Sequence, residues 1–449
     1  MNRYNTEDCI FALATAWAKS AIAVVRISGK GCIETLSKAI GGKVDILSKP
    51  SNSAIYCRLI SPIDGRNVDD VVVTLYRDGH GYTGEDAAEI SCHGGLSVVQ
   101  AVLGTMAELG FRQALAGEFS LRAFLHGKMD LTRAEAVNEL INAQGNTGRA
   151  LALRRLNGAL YNKISQIKDT IVEIMGTVEV QLDYSEDEIG EDLTFPMEKL
   201  ESAIAAIGTI RDSYNTGRLY SQGAKVVLAG PSNAGKSSLF NLFLKEDRSI
   251  VSPIKGTTRD YIEALCSIDG IPVRLYDTAG FRNLSESEIE EEGIRRSHNL
   301  VEGADVIIYM VDSSDIGEID SNLVSDPRCI PVLNKVDLND VELFGFLRLS
   351  VTLGIGFNEL CRKIVEKLTS EVAVADESAL VIENDRQRNN LGRAASSLQA
   401  VRLAVNEGLP LDIVSMDIQE ALEALGELTG EVTTDDILDS IFGSFCVGK

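Results

Sequence analysis

Paired cysteines are missing from this 449-residue chain: its eight cysteines stand at 9, 32, 57, 92, 266, 329, 361 and 446 with no repeated spacing. Neither a zinc site nor a disulfide framework is therefore expected, and a reducing cytoplasm suits the chain. Long apolar runs are missing as well. No stretch approaches the roughly 20 residues needed to span a bilayer. The start, MNRYNTEDCIFALATAW, carries acidic residues and no leader-cleavage pattern, so a soluble protein with no membrane partner is expected. Positive charge is scarce: 43 Lys and Arg face 66 Asp and Glu, a net charge of −23. That balance excludes a generally basic surface of the kind that holds nucleic acid nonspecifically, so any RNA contact must be local or shared with a partner. Internal repeats and low-complexity segments are also absent. Length alone leads us to expect about two to four domains with a substantial core.

What is present begins with GPSNAGKSS, Gly230 to Ser238, directly after the apolar run Ala224 to Ala229. Strand, glycine-rich loop and helix in that order form a phosphate-binding P-loop. Gly230 and Gly235 let consecutive backbone N–H groups of Asn233, Ala234, Gly235, Lys236, Ser237 and Ser238 turn toward phosphate oxygens, and the next helix adds positive potential. Lys236 would reach the β- and γ-phosphates and Ser237 would ligate magnesium. A chance glycine-rich turn is the plain alternative, and two later motifs argue against it. Asp277, Thr278, Ala279 and Gly280 read DTAG after the strand-like VRLY, and Asn334 to Asp337 read NKVD after Ile330 to Leu333. Asp277 is placed to hold magnesium through water and the Gly280 N–H to sense the γ-phosphate. In NKVD, Asn334 and Lys335 flank the base site. The Asp337 carboxylate matches the ring N–H and exocyclic amine of guanine, whereas adenine would leave it unsatisfied at a cost of about 1–3 kcal/mol or more. GTP is thus the expected substrate.

Between these motifs lies IVSPIKGTTRD, whose Ser252, Pro253, Ile254, Lys255, Gly256, Thr257 and Thr258 are expected to close over the nucleotide, Thr258 completing the magnesium shell. Ser350, Val351 and Thr352 occupy the place of the Ser-Ala element that contacts the base oxygen in small G proteins. Phe281 follows DTAG where Ras-like proteins carry a water-orienting glutamine, and a phenylalanine has neither donor nor acceptor for that task. Another polar group must do it. The stretch SESEIEEEGIRR, Ser285 to Arg296, offers Glu286, Glu288, Glu290, Glu291 and Glu292, each of which is equally a solvated acidic helix start.

The first 120 or so residues mix β-rich runs such as AIAVVRISG and VVVTLYRDG with turns, which reads as an α+β domain. From about Asp130 apolar residues recur at spacings of three and four, through Ile164, Ile167, Ile171 and Ile174, with little proline. The helical pattern resumes at Asp376. A multidomain α+β and α/β chain is therefore expected, with a Ras-like P-loop G domain at 221–372 inserted into a helical domain made of 123–220 and 373–449, behind an N-terminal α+β domain at 1–122. The Arg149 to Lys168 stretch, with Arg154, Arg155, Lys163 and Lys168, reads as a basic helix: a solvated face in the common case, and the best local candidate for an RNA or partner surface.

Taken together, AVVRISG at 23–29, YTGEDAAEISCHGG at 82–95, GEFSLRAFLHGKMDLTRAEAV at 117–137, GPSNAGKSSLFN at 230–241, IVSPIKGTTRD at 250–260, DTAGFR at 277–282 and the terminal FCVGK at 445–449 make the chain resemble the MnmE (TrmE) family of tRNA-modification GTPases. The resemblance covers nearly the whole length. It departs at AWAKS, 16–20, where the family usually has a Pro- and Gly-rich turn. The resemblance implies that the N-terminal domain binds 5-formyl-tetrahydrofolate or a related folate and makes a homodimer. It carries Arg26, Glu85, Lys128 and Lys449 over as folate contacts, Asn233, Ser252, Ile254 and Thr257 as potassium ligands, and Glu290 as the catalytic residue that orients water. It further implies an FAD-containing partner, MnmG, in a heterotetramer that builds a 5-carboxymethylaminomethyl or aminomethyl-type group on the wobble uridine of certain tRNAs. Cys446 reads either as a thiolate activated by Lys449 or as a buried small side chain. The alternative from another class is a regulatory GTPase of ribosome assembly, a binding switch with the same G motifs.

Overall fold

In a computed structural model, residues 6–77, 79–183, 194–246, 262–277, 300–370 and 379–449 are described. The chain falls into two compact units, one of Met1–Asn138, Leu156–Gln166 and Leu422–Lys449, the other of Glu139–Arg155 and Ile167–Ala421.

The first unit is built on a seven-stranded sheet: β1 (Ile10–Leu13), β2 (Ile22–Ser28), β3 (Ile40–Gly41), β4 (Ser53–Ile60), β5 (Asn67–Tyr76), β6 (Ala87–His93) and β7 (Arg112–Gln113), in the order β3-β4-β5-β6-β2-β1-β7. All pairings are antiparallel except β1 with β7. Strand side chains alternate between faces. Ala23, Val25 and Ile27 of β2, Ile55, Cys57 and Leu59 of β4 and Val71, Val73 and Leu75 of β5 thus form one core face, closed by Val99, Val102 and Met106 of the helix Leu96–Glu108. The other β2 set, Arg26 and Ser28, lies on the opposite face. There a smaller cluster of Ile10, Ala12, Ala114 and Phe119 is buried, with Tyr82 packed against it. The helix Glu118–Leu125 belongs to this side, and Leu121 packs with Phe442 and Phe445 from the C-terminal end of the chain.

The second unit holds a six-stranded sheet of β8 (Ala224–Ala229), β9 (Ile262–Ile268), β10 (Ile271–Asp277), β11 (Val306–Asp312), β12 (Cys329–Asn334) and β13 (Leu347–Arg348), in the order β13-β12-β11-β8-β10-β9. Every pairing is parallel except the β9–β10 hairpin, whose turn residues Asp269 and Gly270 have φ of 48° and 82°. A two-residue turn with both φ positive matches the right-handed twist of the strands it joins. Because clusters cover both faces, β8 and β11 are almost continuously buried, as a parallel sheet requires. Helices Met197–Asp212 and Asp385–Glu407, from either side of the G domain in sequence, pack along one another in this unit.

The expected basic helix from Arg149 to Lys168 is not one element. It is two helices, Asn146–Leu156 and Ala159–Asp183, broken where Gly158 takes a φ of 89°. Arg155, part of the stretch read as a candidate RNA or partner surface, is 1 % exposed. It pairs with Glu139 at 2.7 Å and Glu383 at 2.8 Å and donates to the Val381 carbonyl at 2.9 Å. Burial of three charges demands mutual pairing, so this arginine is withdrawn from any partner.

Candidate nucleotide site and the C-terminal tail

β8 has β10 on one side and β11 on the other, so the sheet order reverses beside its carboxyl end, the point where open α/β sheets bind ligands. The chain leaves β8 there into the glycine-rich loop. A Cβ on Gly230 would lie 2.2 Å from the Met310 carbonyl, and one on Gly235 2.2 Å from the Asn334 side-chain nitrogen, so another residue would displace the Met310 backbone at the first position and the Asn334 side chain at the second. Asn233 takes a φ of 64°, a left-handed conformation that Asn tolerates better than most residues. The helix Lys236–Glu246 then starts, and the buried Lys236 ammonium donates to the Gly230 and Pro231 carbonyls, both at 2.7 Å. A cation is thereby held inside the curl of the loop.

The Ser237 hydroxyl donates to the Asp277 carboxylate at 2.7 Å, and Asp277 is 1 % exposed. These two hard oxygens at one spot fit a magnesium ion, which usually takes one or two protein ligands with the rest from water and phosphate. Among the described residues no group of three or more His, Cys, Asp or Glu is arranged to hold a metal.

The guanine-side residues form a hydrogen-bonded scaffold. Asn334, 2 % exposed, donates from Nδ2 to the Ala234 carbonyl at 2.8 Å and accepts from the Val351 N–H at 3.3 Å, tying NKVD to the P-loop and to the Ser350 segment. Lys335 has a φ of 61° and pairs with Asp312 at 2.5 Å. Burial pushes the Asp312 carboxyl up, but Lys335 and the Ser314 N–H outweigh it and hold the group below the usual carboxylate range. The buried Ser350 hydroxyl donates to Asp337 at 2.5 Å. Asp337 itself is exposed. The carboxylate expected to read the base is thus not buried beforehand, so the cost of an unsatisfied buried acceptor does not apply to it as it stands. Ser238 and Thr352 are exposed beside these elements. Ser252 to Thr258, Thr278, Ala279, Gly280, Phe281 and Glu290 lie outside the described residues.

In the first unit, the four folate positions implied by resemblance take distinct places. Arg26 is largely enclosed, its side chain 16 % exposed. Its guanidinium holds Glu89, directly opposite in the β2–β6 register, at 2.7 Å, and sits 5.5 Å and 5.7 Å from the centres of the Tyr82 and Phe119 rings. It also donates to the Gly448 carbonyl at 3.1 Å. Gly448 has a φ of 97°, and a Cβ there would lie 2.6 Å from the Leu13 carbonyl, so the tail fits only with glycine at this point. A bridge between Ala116 and Val447 anchors the same segment. Burial, and then the neighbouring Arg26, lower the Lys449 ammonium below the usual lysine range. Glu85 accepts from Ser28 at 2.9 Å and from Arg122 at 3.3 Å. Lys128 is exposed, its ammonium on the Gly79 carbonyl at 2.9 Å. Cys446 is exposed, which removes the reading of it as a buried small side chain.

Sequence reasoning passed over the network behind Glu85. The fully buried Arg122 pairs with Asp8 at 2.8 Å and Glu118 at 3.1 Å, while Arg112 pairs with the same two carboxylates at 2.6 Å and 2.5 Å. Burial raises the Asp8 carboxyl, but the hydrogen bonds and charges of Arg112 and Arg122 prevail and hold it below its ordinary value. A signal for Glu89 existed: Arg26 stands on the non-core parity of β2 and Glu89 on that of β6. Nothing local marked Asp8, more than a hundred residues before its partners.

A Gly-rich phosphate loop at the switch point of a largely parallel sheet, with a magnesium-type Ser–Asp pair and an Asn-Lys-x-Asp base scaffold, defines a P-loop GTP hydrolase. The residues around it carry the rest of the assignment. Residues 131–446 match the family model described as MnmE helical domain, and residues 9–128 that described as GTP-binding protein TrmE N-terminus. The curated tRNA modification GTPase MnmE of Treponema denticola is 39 % identical over all of both chains. Its counterparts from Borrelia recurrentis and Carboxydothermus hydrogenoformans are 38 % and 37 % identical over 99 % of this chain and 99 % and 100 % of theirs. The chain belongs to the MnmE family of tRNA modification GTPases. Among solved structures, the G domain of the T. maritima FeoB iron transporter shares 25 % identity over 32 % of this chain and 98 % of that one, with a TM-score of 0.25. The expected architecture therefore stands: an N-terminal α+β domain, a helical domain and a P-loop G domain. Among the described residues no helix is long and apolar enough to cross a membrane.

Proposed function

We propose that this chain is a potassium-activated, magnesium-dependent GTPase of the cytoplasm. With an FAD-containing partner, MnmG, it takes part in building the 5-carboxymethylaminomethyl or aminomethyl-type group on the wobble uridine of certain tRNAs. The observation that carries this reading is the seating of the C-terminal CVGK segment on Arg26, next to the Tyr82 and Phe119 rings. A regulatory switch of ribosome assembly has no use for such a seat.

In this reading Lys236 balances charge on the β- and γ-phosphates, and Ser237 with Thr258 holds magnesium. Asn233, Ser252, Ile254 and Thr257 hold potassium, which supplies the positive charge that an arginine finger gives elsewhere. Glu290 orients the attacking water. The rings beside Arg26 and the Glu85 carboxylate suit a flat heteroaromatic with an amide and amino edge, and Lys128 and Lys449 suit its acidic tail. A folate held there supplies a one-carbon unit. The homodimer is assigned to the N-terminal sheet, where Tyr56 and Val72, opposite one another in register, are 69 % and 38 % exposed.

The test is nucleoside analysis of tRNA from cells lacking this chain. Loss of the substituent at wobble uridine supports the proposal, and unchanged tRNA with a ribosome-assembly defect supports the alternative. For the ion, GTP hydrolysis is expected to run faster in potassium than in sodium at equal ionic strength. Glu290→Ala is expected to lower kcat with little effect on GTP affinity, as for a contact made only in the transition state.

A further inference from the structure

The net charge of −23 makes any concentration of basic side chains informative, and the second unit contains one. A cleft of about 690 Å³ opens between the Arg211–Asn215 segment and the start of the helix Asp385–Glu407, and a second of about 710 Å³ adjoins it, the two sharing Asn215. Seven Lys and Arg line the pair of clefts against three Asp and Glu. The remainder of the chain is correspondingly more acidic than the total implies.

The first cleft is built from helix periodicity. Arg388 and Gly392, and likewise Asn389 and Arg393, are four residues apart on one helix and so share a face. A Cβ on Gly392 would meet nothing within 4 Å, which leaves the cleft floor open. The Arg388 guanidinium lies 4.7 Å from the centre of the Tyr214 ring, and Tyr214 is itself fixed by a 2.9 Å bond to Asp385. Stacking holds the planar fork ready, so less freedom is lost when it grips an anion. Arg211 and Arg218 sit in ion pairs with Asp212 and Asp305 at 2.8 Å and 3.7 Å, but these are surface pairs, with the arginines 38 % and 49 % exposed. Exposed pairs of this kind contribute little and exchange readily for a phosphate. The second cleft continues the row with Lys363 and Lys367. It lies where β8, β11 and β12 begin, since Gly223, Asp305 and Arg328 immediately precede those strands, whereas the P-loop follows the end of β8. An occupant here does not compete with the nucleotide.

We propose that these joined clefts are a docking surface for the phosphate backbone of RNA. The partner's identity as tRNA rests on the function proposed above. The chemistry favours a polyphosphate backbone over an acidic protein surface: five of the seven cations are arginines, and although Arg328 is held by Asp326 and the Glu302 and Ala304 carbonyls, the forks of the other four match phosphate oxygens in pairs, with amides of Asn215 and Asn389 among them to contact sugar and phosphate.

The experiment uses the full chain and an in vitro transcribed tRNA with uridine at the wobble position, with binding followed by fluorescence anisotropy at several salt concentrations. Arg388→Gln/Arg393→Gln and, separately, Lys363→Gln/Lys367→Gln are compared with Arg66→Gln, an exposed cation of the other unit. Removing one cation from a phosphate is expected to flatten the slope of log K against log salt by about 0.7 to 0.9. Each double variant should therefore show a slope smaller by roughly 1 to 2 and binding about tenfold weaker. Arg66→Gln should match the parent, and GTP hydrolysis should persist throughout. Double variants that bind tRNA with the parental affinity and slope overturn the proposal. Variants that keep tRNA binding but lose the FAD-containing partner also overturn it, in favour of a protein interface. A parent chain that binds no tRNA overturns it too, while the tRNA-modification reading is then judged independently by the wobble-uridine analysis. Should either double variant fail to fold, Arg393→Gln alone carries the test.

Discussion

Asn334 decides whether the guanine-side loop and the P-loop act as one piece. Its Nδ2 donates to the buried Ala234 carbonyl and its Oδ1 accepts from Val351, so one 2 % exposed side chain closes two loops at once. Asn334→Ala leaves the Ala234 carbonyl without this donor at a cost of about 1–3 kcal/mol, and the Val351 N–H adds roughly 0.5–1.5 kcal/mol where water does not replace the acceptor. The loop order that disappears must be restored when the nucleotide binds. At 1.4 kcal/mol per tenfold, the first figure alone weakens GDP and GTP binding by about 5- to 150-fold. Asn334→Asp separates the causes. It keeps the volume and the acceptor for Val351 but turns the donor into a second acceptor facing the Ala234 carbonyl. If the hydrogen bond matters, the aspartate must be at least as damaging as the alanine. If only packing matters, it should be nearly silent. Titration with a fluorescent guanine nucleotide, with magnesium held constant, measures both. A Kd for Asn334→Asp within twofold of the parent would refute the argument that this amide couples the loops.

Three further outcomes follow from geometry. Arg155→Met leaves Glu139 and Glu383 buried without their common cation and should destabilise the second unit by about 3–5 kcal/mol, against less than about 0.5 kcal/mol for Arg154→Met; hydrogen exchange in the helix Asn146–Leu156 reads this as faster opening, and equal rates in the two variants count against it. Gly448→Ala, placed at a φ of 97° and against the Leu13 carbonyl, should displace the tail from Arg26 and abolish tRNA modification in a null strain while GTP hydrolysis continues; full modification shows that the seat is dispensable. Asp8 has a folded-state value below its ordinary value of about 3.9, so its stabilisation is fully present above that value and is lost as pH falls through the lower one. Melting of the first unit, followed by the chain's single tryptophan, Trp17, should therefore become less pH-sensitive below about pH 4 in Asp8→Asn. Parallel melting curves for the two proteins across that range exclude the role.

The nucleotide site was legible because its chemistry is local. Phosphate binding needs glycine at fixed offsets, Asp277 and Asn334 end strands that apolar runs announce, and Lys236 and Ser237 open the helix that follows the glycine-rich loop. Periodicity likewise foretold the buried row Ile164, Ile167, Ile171 and Ile174. The tail seat was accessible only by resemblance, since Arg26 and Gly448 are 422 residues apart and no spacing rule links them. Tertiary structure alone decided which charges reach a surface. In sequence Arg154 and Arg155 are equivalent members of a basic run, yet the carboxylates of Glu139 and Glu383 and the Val381 carbonyl enclose the second. Conversely, Arg211, Arg388 and Arg393 lie in two stretches that no sequence window joins, and become one cleft when the helices pack. Sequence determines which groups a residue carries and which local turn it permits; the cost of burying charge, settled only when distant segments meet, determines which of those groups remain at a surface.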